Sequence, residues 1–175
     1  MPSHFQTYGP FPMHRRYGVD AGALENFWAQ DGMPRGLCDD SGIYIICTRH
    51  GSAPLRPWYV GQTHRRFESR FLQHLRQGKF DLLGQKSPNG PLQIFLIARR
   101  TSTSKPTKSA RRNSKAIREI EFALIGACLS VNKKLLNVSE ANFFNGIHVP
   151  GFRGAKRGRP EAAATKLANM LRSQN

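Results

Sequence analysis

Acidic residues and cysteines are the scarce components of this chain. Only 11 Asp and Glu stand against 27 Lys and Arg in 175 residues, a formal net charge of +16. An isoelectric point near 10.8 exceeds what solubility requires and fits a polyanionic partner, nucleic acid or an anionic membrane. Two further absences argue against the membrane. No apolar run approaches the roughly 20 residues of a spanning helix, and no amphipathic helix joins a basic face to a strongly apolar one. The expected partner is therefore nucleic acid, with no membrane. Cys38, Cys47 and Cys128 are odd in number, widely spaced and form no CxxC pair, which disfavours a disulfide framework or a zinc site and fits a reducing compartment. They read as small core or surface residues. Met1 to Tyr17 lacks the apolar segment of a secretory signal, so the expected location is cytoplasmic. Internal repeats are absent as well.

The chain that remains has length for one ordinary domain plus extensions. Residues 1–40 are rich in Gly, Pro, His and aromatics, with little periodicity, and read as an N-terminal extension carrying one short helix, Ala23 to Gln30. From Gly42 a β-branched run predicts a strand, and a second follows around Trp58 to Gln62, the two forming a hairpin. Phe67, Phe71 and Leu75 at i, i+4, i+8 predict a helix over Phe67 to Gln77, stopped by Gly78. Leu92 to Arg100 predicts a third strand, a basic Ser/Thr-rich stretch to Ser114 a surface loop, and Lys115 to Leu129 a second clear helix. Residues 41–138 thus read as one α/β (α+β) domain, a three-stranded, mainly antiparallel sheet flanked by helices. Residues 139–175 read as a basic C-terminal extension, ending in a helix from about Pro160 to Arg172.

Three features of this domain carry chemistry. On the second helix Ile117, Ile120, Leu124 and Cys128 define an apolar face, and Glu121 falls inside it while Glu119 points away. A carboxylate facing a core costs several kcal/mol unless paired or bound to a cation, so Glu121 is either the acid of a buried ion pair or a metal ligand at the sheet edge. Arg70 and His74, at i, i+4, share one flank of the first helix. As a solvated flank they do nothing; against a sheet, a guanidinium beside an imidazole suits phosphate binding and proton transfer. Tyr44 and Tyr59 lie in adjacent strands beside glycines, positions that by themselves mean core packing.

Taken together these residues resemble the GIY-YIG nucleases. Gly42-Ile43-Tyr44 matches the first half of that signature and Tyr59-Val60-Gly61 the second, with Val for Ile. Arg70-Phe71-Leu72-Gln73-His74 is similar to the family's R-x-x-x-H segment, Glu121-Phe122-Ala123-Leu124-Ile125 to its E-x-x-L-I helix, and Leu136-Asn137 to its closing asparagine. The resemblance spans Gly42 to Asn137. The loops from Cys47 to Trp58 and from Ala98 to Ser114 are longer than in compact members, changes that a fixed scaffold tolerates.

The resemblance implies a metal-dependent endonuclease of restriction, mobile-element or repair type that hydrolyses DNA phosphodiester bonds. Tyr44, Tyr59, Arg70, His74, Glu121 and Asn137 would be the catalytic set. Glu121 would hold one Mg²⁺, with Mn²⁺ able to substitute, and a single carboxylate suffices for such an ion. Arg70 would neutralise charge on the transition state. Tyr44 would orient or deprotonate the attacking water, and Tyr59 and His74 would position that tyrosine and shuttle protons. Asn137 would brace the helix of Glu121.

Grip on DNA is expected from Arg99, Arg100, Lys105, Lys108, Arg111, Arg112, Lys115 and Arg118, where few acids interleave. Arg65, Arg66 and Arg76 add charge to the first helix. Arg157 and Arg159, in Lys156-Arg157-Gly158-Arg159-Pro160, resemble an AT-hook core and read as minor-groove or plain phosphate contacts. Symmetric double-strand cutting by a one-site domain would require a homodimer or sequential nicking. The rival class is a non-catalytic nucleic-acid-binding protein on the same scaffold; an RNA-associated protein is weaker, because the aromatic strand motifs of common RNA modules are missing.

Overall fold

The computed structural model describes residues 4–14, 19–86, 90–101, 103 and 114–137. Four strands pair antiparallel throughout, in the order β1-β4-β2-β3: β1 His4–Met13, β2 Gly42–Thr48, β3 Arg56–Thr63 and β4 Leu92–Arg100. The helices are α1 Ala21–Ala29, α2 Phe67–Arg76, α3 Lys79–Lys86 and α4 Ser114–Val131. Among the described residues no helix is long and apolar enough to cross a membrane.

Two elements correct the sequence reading. Among the described residues the sheet has four strands, not three, because His4–Met13 is a strand pairing with β4 and not an irregular extension. Pro10 and Pro12 hide it, since proline cannot donate to a ladder. At a sheet edge only one side needs donors, and the register breaks between Tyr8 and Phe11. Phe11 and Met13 then enter the core. The second correction is α3, which follows immediately after Gly78. That glycine (φ +62°) does terminate α2, but Phe80 and Leu83, at i, i+3, bury a fresh apolar face.

Strand alternation sorts the interior into two faces. Tyr44, Ile46, Tyr59, Ile94 and Leu96 join Phe27 of α1, Phe67 and Phe71 of α2 and Phe80 of α3 in one aromatic-rich cluster. Ile43, Cys47 and Val60 are buried outside that cluster. They share the opposite parity, and α4 packs on β2 and β3, where it buries Ile117, Glu121, Ile125 and Cys128. The real buried stripe is thus rotated slightly from the predicted one: Ile120 and Leu124 are only half-buried, and Glu121 lies at its centre. Burial pushes the Cys47 thiol up to about 12 and that of Cys128 to about 11, so both are inert packing groups.

The chain around Asp40 docks α2 onto the sheet. The Phe67 amide donates to the Asp40 carbonyl at 2.9 Å and the Arg99 amide to the Ser41 carbonyl at 2.9 Å. The Asp40 carboxylate meets Arg100 at 2.7 Å, both side chains buried. On the far side, β3 would expose an unpaired ladder edge. The chain after α4 covers it: the Leu136 amide donates to the Trp58 carbonyl at 2.8 Å, and Asn132 Nδ2 donates to the Pro57 carbonyl at 2.7 Å. Asn137 then engages both backbone groups of Val60, accepting from its amide at 2.9 Å and donating to its carbonyl at 2.6 Å.

That double bond is the basis of a stability prediction. Asn137→Ala leaves a buried amide and carbonyl of β3 without partners, a loss of about 1–3 kcal/mol in urea unfolding. A change below about 0.5 kcal/mol would show that water or a neighbour replaces the clamp without cost.

Candidate active site

The site is built around Tyr44, whose side chain is fully buried. Tyr44 lies directly across from Gly61 in the β2–β3 ladder, and its ring rests on the glycine: a Cβ at Gly61 would run into the Tyr44 phenol. The glycine of one signature half is therefore the seat for the tyrosine of the other. Gly42 has a similar reason, since a Cβ there would strike the Ile97 carbonyl of β4.

Around the Tyr44 ring stand Phe71 at 5.0 Å, Tyr59 at 6.1 Å, Phe67 at 6.4 Å and His74 at 5.7 Å between centroids. Phe67, Phe71 and His74 recur at i, i+4, i+7 and form the buried face of α2, which brings the imidazole to the phenol. Tyr44 Oη and His74 Nε2 form a short hydrogen bond. Tyr59 meets the imidazole edge-on at 5.5 Å, with rings at 87°.

Burial keeps both partners of that hydrogen bond uncharged. Burial, then the charges of Arg70 and Lys79, push the His74 imidazole down to about 3. Burial and neighbouring Tyr59 hold the Tyr44 phenol well above its usual value, against the opposing pull of Arg70. At neutral pH both groups are uncharged, and the donor follows the imidazole tautomer: with the imidazole proton on Nδ1 the phenol donates and Nε2 accepts. Among the described residues Nδ1 has no hydrogen-bond partner.

Arg70 is half-buried beside this pair. Burial weakens its charged form, yet Tyr44, Tyr59 and Glu121 together raise its pKa, and it stays a guanidinium. Its Nη1 donates to Gln73 Oε1 at 2.7 Å and the guanidinium also bonds the Tyr44 phenol, while Nε is buried without a partner among the described residues. Glu121 reaches the site from α4: its charge raises both Tyr44 and Arg70. Among the described residues no group of three or more His, Cys, Asp or Glu could hold a metal together. A cation here would have one protein carboxylate, Glu121, and would draw its other ligands from water and phosphate, a coordination that Mg²⁺ accepts.

Tyr44, Tyr59, Arg70 and His74 are thus in one place, and Glu121 is in electrostatic reach. Both ends of the Asn137 amide engage Val60, so it braces β3 between Tyr59 and Gly61. Of the residues expected to grip DNA, Arg100 must be reassigned. Neighbours on a strand face opposite ways, so Arg100 turns inward onto Asp40 and Tyr8, whereas half-buried Arg99 lies on the other face, its Nε without a partner among the described residues. Arg66 pairs with Asp39 and Glu68 at the surface. Exposed Lys115 and Glu119 form an i, i+4 pair at 3.7 Å, a contact of little energetic weight. Arg118 lies near enough to His64 to add to the burial that lowers its pKa. Lys105, Lys108, Arg111, Arg112, Arg157 and Arg159 lie outside the described residues, as does the helix predicted from Pro160. Sequence reasoning passed over Gln73, although i, i+3 spacing from Arg70 signals such a contact, and over Lys79, which no motif marks.

No protein-family model, no curated protein and no solved structure matches this chain.

The neutral His74 has a measurable consequence. In the unfolded chain an imidazole protonates near 6.5, whereas folded His74 stays neutral down to about 3. Between those values the unfolded state binds the extra proton, so this residue's contribution to stability is lost as pH falls below about 6.5. The gap in unfolding free energy between wild type and His74→Gln should shrink from pH 7.5 to pH 5 in urea titrations. A gap that widens on acidification would mean that His74 is protonated in the fold.

Proposed function

We propose that this protein is a metal-dependent endonuclease of GIY-YIG type that hydrolyses DNA phosphodiester bonds. The observation that carries the reading is the buried Tyr44–His74 hydrogen bond with Arg70 beside it. A structural core gains nothing from placing a guanidinium whose buried Nε has no partner among the described residues next to a neutral phenol–imidazole pair. A phosphodiester supplies the missing acceptor, and the chain's +16 charge favours its approach.

Each residue then has work that follows from its surroundings. With the imidazole proton on Nδ1, the Tyr44 phenol donates to Nε2 and its oxygen keeps lone pairs with which to accept a hydrogen bond from water and aim it at phosphorus. As the water loses a proton to Tyr44, the phenol proton moves on to Nε2, so His74 is the terminal acceptor and Tyr44 the relay. Burial is the main reason His74 is neutral, and a phosphate bound at Arg70 offsets the positive field that adds to it, raising the imidazole's basicity when it is needed. Tyr59 fixes the imidazole edge-on. Arg70 neutralises charge gathering on the non-bridging oxygens, an effect of the order of 10²–10³ in rate. Glu121 is the residue to hold a divalent ion, which when bound supplies Lewis-acid stabilisation of the phosphate and leaving oxygen.

Supercoiled plasmid provides the test. With Mg²⁺ or Mn²⁺ wild type should nick it, and EDTA should stop the reaction. Folded Glu121→Gln should be inactive, and Arg70→Ala should cut about 10²-fold more slowly while binding DNA almost as well. Binding without cutting in any metal, over several sequences and branched substrates, would replace this reading with a non-catalytic DNA-binding protein.

A further inference from the structure

Lys79 opens α3 directly behind the Gly78 turn and has no part in the chemistry above. Its ammonium nitrogen lies 4.6 Å from the centroid of the Tyr59 ring, the ring that meets His74 edge-on. Lys79 is also near enough to oppose protonation of His74, as Arg70 does. Arg70 precedes His74 by one turn of α2, and Lys79 follows it beyond the turn, so the two cations approach the imidazole from different elements. Among the described residues Lys79 has no carboxylate partner: the ion pairs there join Arg66 to Asp39 and Glu68, Arg100 to Asp40, and Lys115 to Glu119.

An aromatic face holds a cation in place without neutralising it. The half-buried lysine is therefore directed, without a carboxylate partner among the described residues, at a site that already contains a second cation. Like charges brought together oppose folding unless something of opposite sign arrives, and the ligand this site is read to take carries one negative charge per nucleotide. A lysine ammonium suits a phosphate oxygen as a point contact that makes no demand on base identity.

We infer that Lys79 is a substrate-contacting residue which, steadied by the Tyr59 ring, binds a backbone phosphate next to the phosphodiester served by Arg70. This rests on the DNA-directed reading above but not on cleavage. It assigns α3 a function: the helix presents a phosphate contact at its first residue.

The test is binding without turnover. Fluorescence anisotropy of a labelled duplex of about 20 base pairs in EDTA, over a salt series, reads the number of phosphates neutralised. Lys79→Gln should lower the slope of log affinity against log salt by about 0.9, equally for unrelated sequences, and Lys79→Arg should restore it. Lys86→Gln removes the same charge from the exposed far end of α3 and should leave the slope unchanged. An unchanged slope in Lys79→Gln overturns the inference. So does a lowered thermal midpoint with binding and slope intact, which would make Lys79 a brace for Tyr59 only. If wild type itself fails to bind the duplex, the DNA-directed reading falls and the inference with it, a result visible before any variant is compared.

Discussion

The contact on which the rest of this domain depends is that of the Tyr44 ring with the bare backbone of Gly61. Any side chain at Gly61 would occupy the space of the phenol, and the phenol is what His74 hydrogen-bonds and what Phe71, Phe67 and Tyr59 surround. Displacing it would break the bond to α2 and open the aromatic cluster at its centre, where losing one large ring costs about 3–5 kcal/mol. Stability and the proposed chemistry therefore share one residue. Tyr44 is at once among the largest fully buried side chains and the hydrogen-bond partner of the imidazole.

Burial sets the electrostatics of the site by choosing which groups stay neutral. Desolvation keeps His74 and Tyr44 uncharged, and it leaves Arg70, whose charge is much harder to remove, as the fixed positive centre. The same force acts differently on Asp40 and Arg100, which are buried together. There burial raises Asp40 even against the pull of the arginine, so the pair owes its place to what it ties together more than to net ionic energy. It joins the loop before β2 to the end of β4, while Tyr8 of β1 accepts from the same guanidinium at 3.1 Å.

The sequence was legible wherever one periodicity ruled. β2, α2, β4 and α4 follow from β-branched runs or from apolar residues at helical spacing, and Glu121 is conspicuous because it interrupts such a stripe. Legibility failed where local signals contradicted the tertiary outcome. Pro10 and Pro12 argue against a strand, and only the edge position of β1 permits one. Gly78 signals a stop, and nothing local announces that a new helix begins at once. Arg99 and Arg100 read as one basic patch until the pleat of β4 separates them. Asn137 could be ranked with the catalytic group from its place in a motif, but the Val60 backbone it engages is invisible until β3 is known to lie at an edge.

The clamp on β3 also orders events in time. Val60 and Asn137 are 77 residues apart in the chain, and Asn132 reaches Pro57 over 75, whereas the β2–β3 hairpin and α2 are assembled from near neighbours. Contacts that close long loops cost the most entropy and reward it last. A growing polypeptide could thus bury Tyr44 and seat His74 while the outer rim of β3 was still bare, a sticky edge open to any passing strand. Covering that rim is the step that turns a half-made sheet into a finished one, and it waits for the residues that follow α4.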